Sequence, residues 1–186
     1  MKTGAWGGVE QNGFGRGGFG KGMGGPVDAS FEQETTVTVT EATYSDEAIA
    51  ELLFMLEEEK LAGDIYDAFY EMYGIPIFDN IAESEDNHFD ALLAQAESLG
   101  LDVDAIVFAE AGTYVDPELQ EMYDTLLAQG SESLEAALEV GVAIETKDMV
   151  DIAAAAEAVA DTPLADVYDR LLAGSVNHLD AFEALL

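Results

Sequence analysis

The sequence predicts an all-α protein, a four-helix bundle with a long crossover carrying a short helix between its second and third helices. Three observations lead there. After Ser45, four long stretches repeat apolar residues at helical spacing. Each is bounded by residues that start or stop helices. One connection, between the second and third stretches, is far longer than the others. The chain has 186 residues, of which 49% are hydrophobic, enough for one packed domain and hardly for two.

The first helix is expected to start at Ser45 or Asp46, whose side chains can cap it, and to stop near Gly74, ahead of Pro76. A second runs from about Phe78 to Leu99 and ends at Gly100. Residues 101–115 read as irregular. A short helix follows from Pro117 to Gln129, with Pro in its first turn and Gly130 after its last. The third long helix spans about Ser133 to Ala160, and the fourth runs from Thr162 to the C-terminus.

Ahead of this bundle domain, residues 45–186, lies a segment of different composition, residues 1–44. Residues 1–30 hold Gly4, Gly7, Gly8, Gly13, Gly15, Gly17, Gly18, Gly20, Gly22, Gly24 and Gly25, a composition expected to give a flexible tail. Thr35 to Thr40 alternate as a strand would, but no later segment offers a partner strand, so the expectation is an extended lead-in.

The formal net charge is −33, from 39 acidic side chains against 6 Lys and Arg. Such a surface repels nucleic acid and anionic membranes, because phosphates are bound chiefly by Lys and Arg. Acid-rich and Lys-poor composition also predicts a halophilic protein, whose self-repulsion salt screens. There are no cysteines, which removes disulfides, thiolate metal sites and Cys nucleophiles. No apolar run reaches the length of a signal peptide or a membrane span, so a cytoplasmic location is expected.

The functional signal lies in the apolar stripes. On the first helix the stripe reads Ile49, Leu52, Leu53, Leu56, Glu59, Gly63, Tyr66, Tyr70. Glu59 falls near its middle, while Glu57 and Glu58 point away and read as solvated charges. On the second it is Phe78, Ile81, Glu85, His88, Leu92, Ala96, Leu99, with Glu85 and His88 three apart on one face. The third reads Leu134, Leu138, Gly141, Glu145, Asp148, Ile152, Val159. The fourth reads Leu164, Tyr168, Leu171, Ser175, His178, Phe182, Leu185.

Taken singly, these residues have plain explanations. An inner-face Glu is usually a rim residue, and a His on an apolar face is usually a hydrogen-bonded core residue. Asp148 fits a rim position as well as a ligand, and Ser175 fits a helix Ser bonded to its own i−4 carbonyl. Tyr66 suits core packing with a polar end. The coincidence across four helices argues otherwise. Several buried carboxylates are costly without positive charge, and Lys60 and Lys147 are each turned off the inner face. Three or four carboxylates would balance about two divalent cations. Glu59, Glu85, His88, Glu145 and His178 are therefore the expected metal ligands, with Asp148 as a further candidate.

These residues resemble a known group. Glu59 to Tyr66, a Glu followed seven residues on by Tyr, resembles the first-helix motif of rubrerythrins and related ferritin-like proteins. Glu85-Asp-Asn-His88 is similar to their second-helix Glu-x-x-His, and Glu145 with Asp148 to their third-helix acidic pair. Ser175-Val-Asn-His178 stands where they have a second Glu-x-x-His. Glu57 to Ala62, Pro117 to Gln120 and Gly174 to Leu179 resemble more closely a ferritin-like family labelled domain of unknown function 2202. The resemblance covers about residues 46–186. It implies that Glu85 and Glu145 bridge two metals, Glu59 and His88 serve one, and His178 the other. Ser175 departs from the pattern and leaves one position short of a carboxylate.

The resemblance implies two iron ions, with manganese or zinc as alternatives, and an oxidoreductase acting on peroxide or dioxygen. Tyr66 would then hydrogen-bond a ligand or pass an electron. No Cys-rich segment is present to supply electrons, so an external electron donor is expected, and a homodimer is a further candidate assembly. Two alternatives stay open: metal binding without catalysis, and an interaction bundle whose site has decayed.

Overall fold

The structure is a computed structural model and describes residues 43–186. The glycine-rich segment and the Thr35 to Thr40 alternation lie outside the described residues. Six helices follow in order: α1 (Asp46–Tyr73), α2 (Pro76–Ser98), α3 (Asp104–Val107), α4 (Pro117–Gly130), α5 (Leu134–Ala158) and α6 (Pro163–Glu183). The bundle is all-α among the described residues, and no described helix is long and apolar enough to cross a membrane.

Local chemistry sets the helix limits. Ser45 Oγ accepts the Ala48 N–H, and Asp46 and Glu47 place negative charge at the positive end of α1. Gly74 ends α1 in the left-handed conformation at φ 65, which a glycine adopts without steric cost, and its N–H returns to the Tyr70 carbonyl. Pro76 then opens α2, two residues ahead of the expected start, because a helix's first turn needs no N–H from it. Asp116, Ser133 and Thr162 cap α4, α5 and α6 in the same way as Ser45. The crossover carries two helices, not one, since the four-residue α3 forms within the stretch expected to be irregular.

Two apolar clusters divide the interior. One holds Leu52, Met55 and Leu56 of α1, Leu92 and Ala96 of α2, Ile152 and Ala155 of α5, and Leu164 to Leu171 of α6. The other holds Leu61 to Phe69 of α1, Phe78 to Ala82 of α2, Ala137 to Ile144 of α5, and Phe182 of α6. Chain direction follows from this order. α1 and α6 run from the first cluster to the second, and α2 and α5 run back. The crossover starts beside the first cluster, where Val103 and Ile106 pack, and reaches the second at Leu119. It thus returns the chain along the bundle so that α5 can begin at the far end.

Some expected inward positions are displaced. Tyr70, Leu99, Leu134 and Leu185 are exposed, each lying at a helix end beyond its neighbours' cover, and Phe69 takes the core place expected of Tyr70. The larger correction concerns Glu57 and Glu58. Both are buried, because α1 is covered on its back as well as its front. Glu57 accepts the backbone N–H groups of Val115 and Asp116, fastening the crossover to α1. Glu58 pairs with Lys147 of α5, which also reaches Asp151 at 2.5 Å.

Candidate metal centre

Between the two apolar clusters lies a layer of buried polar side chains: Glu59 from α1, Glu85 and His88 from α2, Glu145 and Asp148 from α5, and Ser175 and His178 from α6. Every sequence-derived candidate therefore points to the same layer. Glu59, Glu85 and His88 form one group whose ligand atoms lie within 4.8 Å of one another, and Glu85, Glu145 and His178 form another. Glu85 belongs to both. Its Oε2 lies 2.8 Å from His88 Nδ1, and its Oε1 lies 2.9 Å from His178 Nδ1. The two imidazoles stack at 5.5 Å between ring centres.

Several atoms in this layer have no hydrogen-bond partner. They include Glu59 Oε1, both oxygens of Glu85, Asp148 Oδ1 and His178 Nδ1. The Glu85 contacts have ion-pair distances but poor hydrogen-bond geometry, so both Glu85 oxygens and His178 Nδ1 are left short of a well-formed hydrogen bond. Asp148 lies outside both groups. Ser175 Oγ approaches its Oδ2 at 2.5 Å and the Leu171 carbonyl at 3.1 Å, so the helix-bonded role expected of Ser175 coexists with a contact to Asp148.

Electrostatics in the layer are unbalanced. Burial, then Asp148 and Glu85, push the Glu59 carboxyl well above the usual range. Burial also raises Asp148 well above that range despite the Ser175 contact, and it raises Glu145 although His178 partly opposes it. Burial works against ionising Glu85 too, but the imidazoles, His178 first, outweigh it and hold that carboxyl down to about 2. Burial alone would lower His178; Glu145 and Glu85 instead raise it to about 9, and Glu85 raises His88 in the same way. Lysines supply no relief. Lys60 is engaged with Asp64 at 2.6 Å, and Lys147 with Glu58 and Asp151.

Tyr66 is fully buried among Phe78 and Phe182 and donates to Glu145 Oε1 at 2.7 Å. Burial and the neighbouring Glu145 raise its phenol well above the ordinary value, so it stays a proton donor. One contributor escaped the sequence reading: Ser84 Oγ lies 2.9 Å from His178 Nε2. Ser84 precedes Glu85 on α2, off the apolar stripe, and nothing in the sequence pairs it with a residue of α6.

Ser84, His178 and Glu85 form a hydroxyl–imidazole–carboxylate series, the order used by serine hydrolases. Such catalysis also needs donors for an oxyanion. Ser84 lies inside α2, where backbone N–H groups are spent on the helix. The amides of Asn87 and Asn177 are committed to the Glu83 and Ala173 carbonyls. The series is better suited to orienting His178 than to acyl transfer.

The donor set fits a pair of divalent ions. Carboxylate oxygens and imidazole nitrogens suit iron, manganese and zinc, and four buried carboxylates offset two double charges. Orphaned oxygens in these two groups are what such ions would satisfy.

The family model described as "Uncharacterized protein domain (DUF2202)" matches residues 48–186. The chain is similar to "Uncharacterized protein MJ0754" of Methanocaldococcus jannaschii, with 36% identity over 142 residues spanning 76% of each protein. The crystal structure of hypothetical protein MJ0754 from Methanococcus jannaschii DSM 2661 shares the fold with a TM-score of 0.76 at 34% identity, covering 80% of this chain and 85% of that one. With three quarters of its length matched, this chain belongs to the DUF2202 family.

Proposed function

We propose that the protein is a ferritin-like carboxylate protein that holds two metal ions, iron foremost, and reduces peroxide or dioxygen with electrons from an external donor. One observation carries the reading. Two groups of buried ligand atoms share Glu85, in a layer with orphaned carboxylate oxygens and, among the described residues, no buried lysine or arginine. Glu59 and His88 would hold one ion, Glu145 and His178 the other, and Glu85 would span both. When bound, a pair of iron ions supplies electrons and Lewis acidity for cleaving an O–O bond. The protein's part is to exclude bulk water with the two apolar clusters and to keep Glu145 oriented through the Tyr66 hydroxyl.

Ser175 favours a second reading. A hydroxyl committed to Asp148 and Leu171, where a carboxylate would complete the set, suits metal binding without turnover. Anaerobic loading with ferrous ion separates the two. Two irons per chain with metal-dependent peroxide consumption supports the redox role, bound iron without consumption supports the second reading, and no bound iron sinks both.

We also infer a high-salt setting from the net charge of −33. The expected result is a melting temperature that rises between 0.1 M and molar potassium chloride by more than the few degrees typical of balanced surfaces. A flat response would count against it.

A further inference from the structure

The two ligand groups differ one layer outward from the ligands themselves. On the His178 side, both unshared ligands have fixed outer partners. Ser84 Oγ stands 2.9 Å from His178 Nε2, and the Tyr66 hydroxyl donates to Glu145 Oε1 at 2.7 Å. On the His88 side, Glu59 Oε1 has no partner. The hydrogen bond of His88 among the described residues is from Nδ1, a long 3.3 Å contact with Glu59 Oε2. Its Nε2 faces Gly174, where even a Cβ would come within 2.5 Å, so that position leaves no room for a side chain that could hold the ring.

An outer partner fixes the ring's orientation and its tautomer. When Ser84 accepts from Nε2–H, the neutral His178 ring carries its lone pair on Nδ1, the atom that faces Glu85 and Glu145. The same freezing of Glu145 by Tyr66 removes rotamer freedom that would otherwise be lost on binding. His88 and Glu59 must settle these choices when an ion arrives.

We propose that Ser84 is a positioning residue for His178. With Tyr66, it makes Glu85–Glu145–His178 the tight cation position, filled first, and leaves Glu59–Glu85–His88 the weaker, exchangeable one. This rests on the metal reading above, and the ligand class is a divalent first-row cation.

Titration of the metal-free full chain with Co²⁺, followed by visible absorption and calorimetry, tests it. The wild-type protein should bind in two phases. Ser84→Ala should weaken the first phase by about 10- to 100-fold and spare the second. Ser84→Thr, which keeps a hydroxyl, should restore the first phase. His88→Ala should abolish the second phase alone. Circular dichroism of each metal-free variant controls for folding, which a half-buried Ser84 leaves unaffected. Two equal affinities in the wild-type protein, or a Ser84→Ala effect confined to the weak phase, overturn the inference and leave the metal reading standing. Absence of any Co²⁺ binding overturns both.

Discussion

Raising the pH of the metal-free protein from 6.5 to 9 should destabilise it, and added metal should reverse the trend. His178 is raised to about 9 in the folded state against an ordinary value of 6.5. Across that window the native state keeps a proton that the unfolded chain has released, so stability falls as pH rises. The contribution is fully present below 6.5 and gone above 9. One proton over about 2.5 pH units gives a ceiling of about 3 kcal/mol. The imidazole edge meets solvent, and screening there leaves about 1–2 kcal/mol. For a domain of this size that is about 3–6 °C in Tm. His88, raised as well, acts in the same sense, and the raised carboxyls of Glu59 and Asp148 give a fall in stability that starts upward from their ordinary values of 4.5 and 3.8. Little else interferes, since the chain has two His and no Cys. Glu85, held down to about 2, contributes above its ordinary 4.5 and loses that contribution only in acid. Chelator-treated protein melted at pH 6.5, 7.5, 8.5 and 9 at constant ionic strength gives the readout. Stoichiometric divalent metal should stabilise more as pH rises, because its ligands must shed protons. A metal-free Tm that is flat or climbs between 6.5 and 9 would refute the reasoning.

Three further outcomes follow from particular contacts. Asp148→Asn keeps the side chain's shape but removes the cost of holding an ionisable carboxyl in this buried layer, so the metal-free protein should gain about 1–2 kcal/mol in urea unfolding; a loss would show that the carboxyl is compensated without metal. Phe182→Ala, at a fully buried ring packed on Tyr66 and Phe78, should cost about 3–5 kcal/mol by the same measurement. Glu57→Ala strands the Val115 and Asp116 N–H groups and should cost about 1–3 kcal/mol. Hydrogen exchange should then quicken at the start of α4 and in the preceding crossover, and not in α6.

Why the sequence disclosed some of this and withheld the rest follows from which contacts are local. The four helices were legible because stripe, cap and stop signals all act within a turn or two, as at Ser45 and Gly74. The polar layer was legible for the same reason. Each candidate ligand interrupts its own helix's stripe, and the four interruptions meet at one depth between the two apolar clusters. What the stripes could not show is what covers the outer faces. Glu57 and Glu58 follow the rule for solvated charges until the crossover's backbone and Lys147 arrive from 58 and 89 residues away. Ser84 is the same case in miniature, an ordinary helix serine until α6 brings His178 against it from 94 residues along the chain.

Periodicity therefore identifies the atoms that could touch a metal, but only tertiary contact identifies the atoms that hold those ligands still. The two ligand groups look alike along the chain, a Glu and a His each with Glu85 between them. They differ in structure through Ser84, Tyr66 and the bare backbone at Gly174. Since affinity depends on how much ordering remains to be done when an ion binds, the proposed asymmetry between the positions would originate in this outer layer. A relative that keeps the five ligands but replaces Ser84 with a residue lacking a hydroxyl should accordingly lose the order of filling while keeping the capacity for two ions.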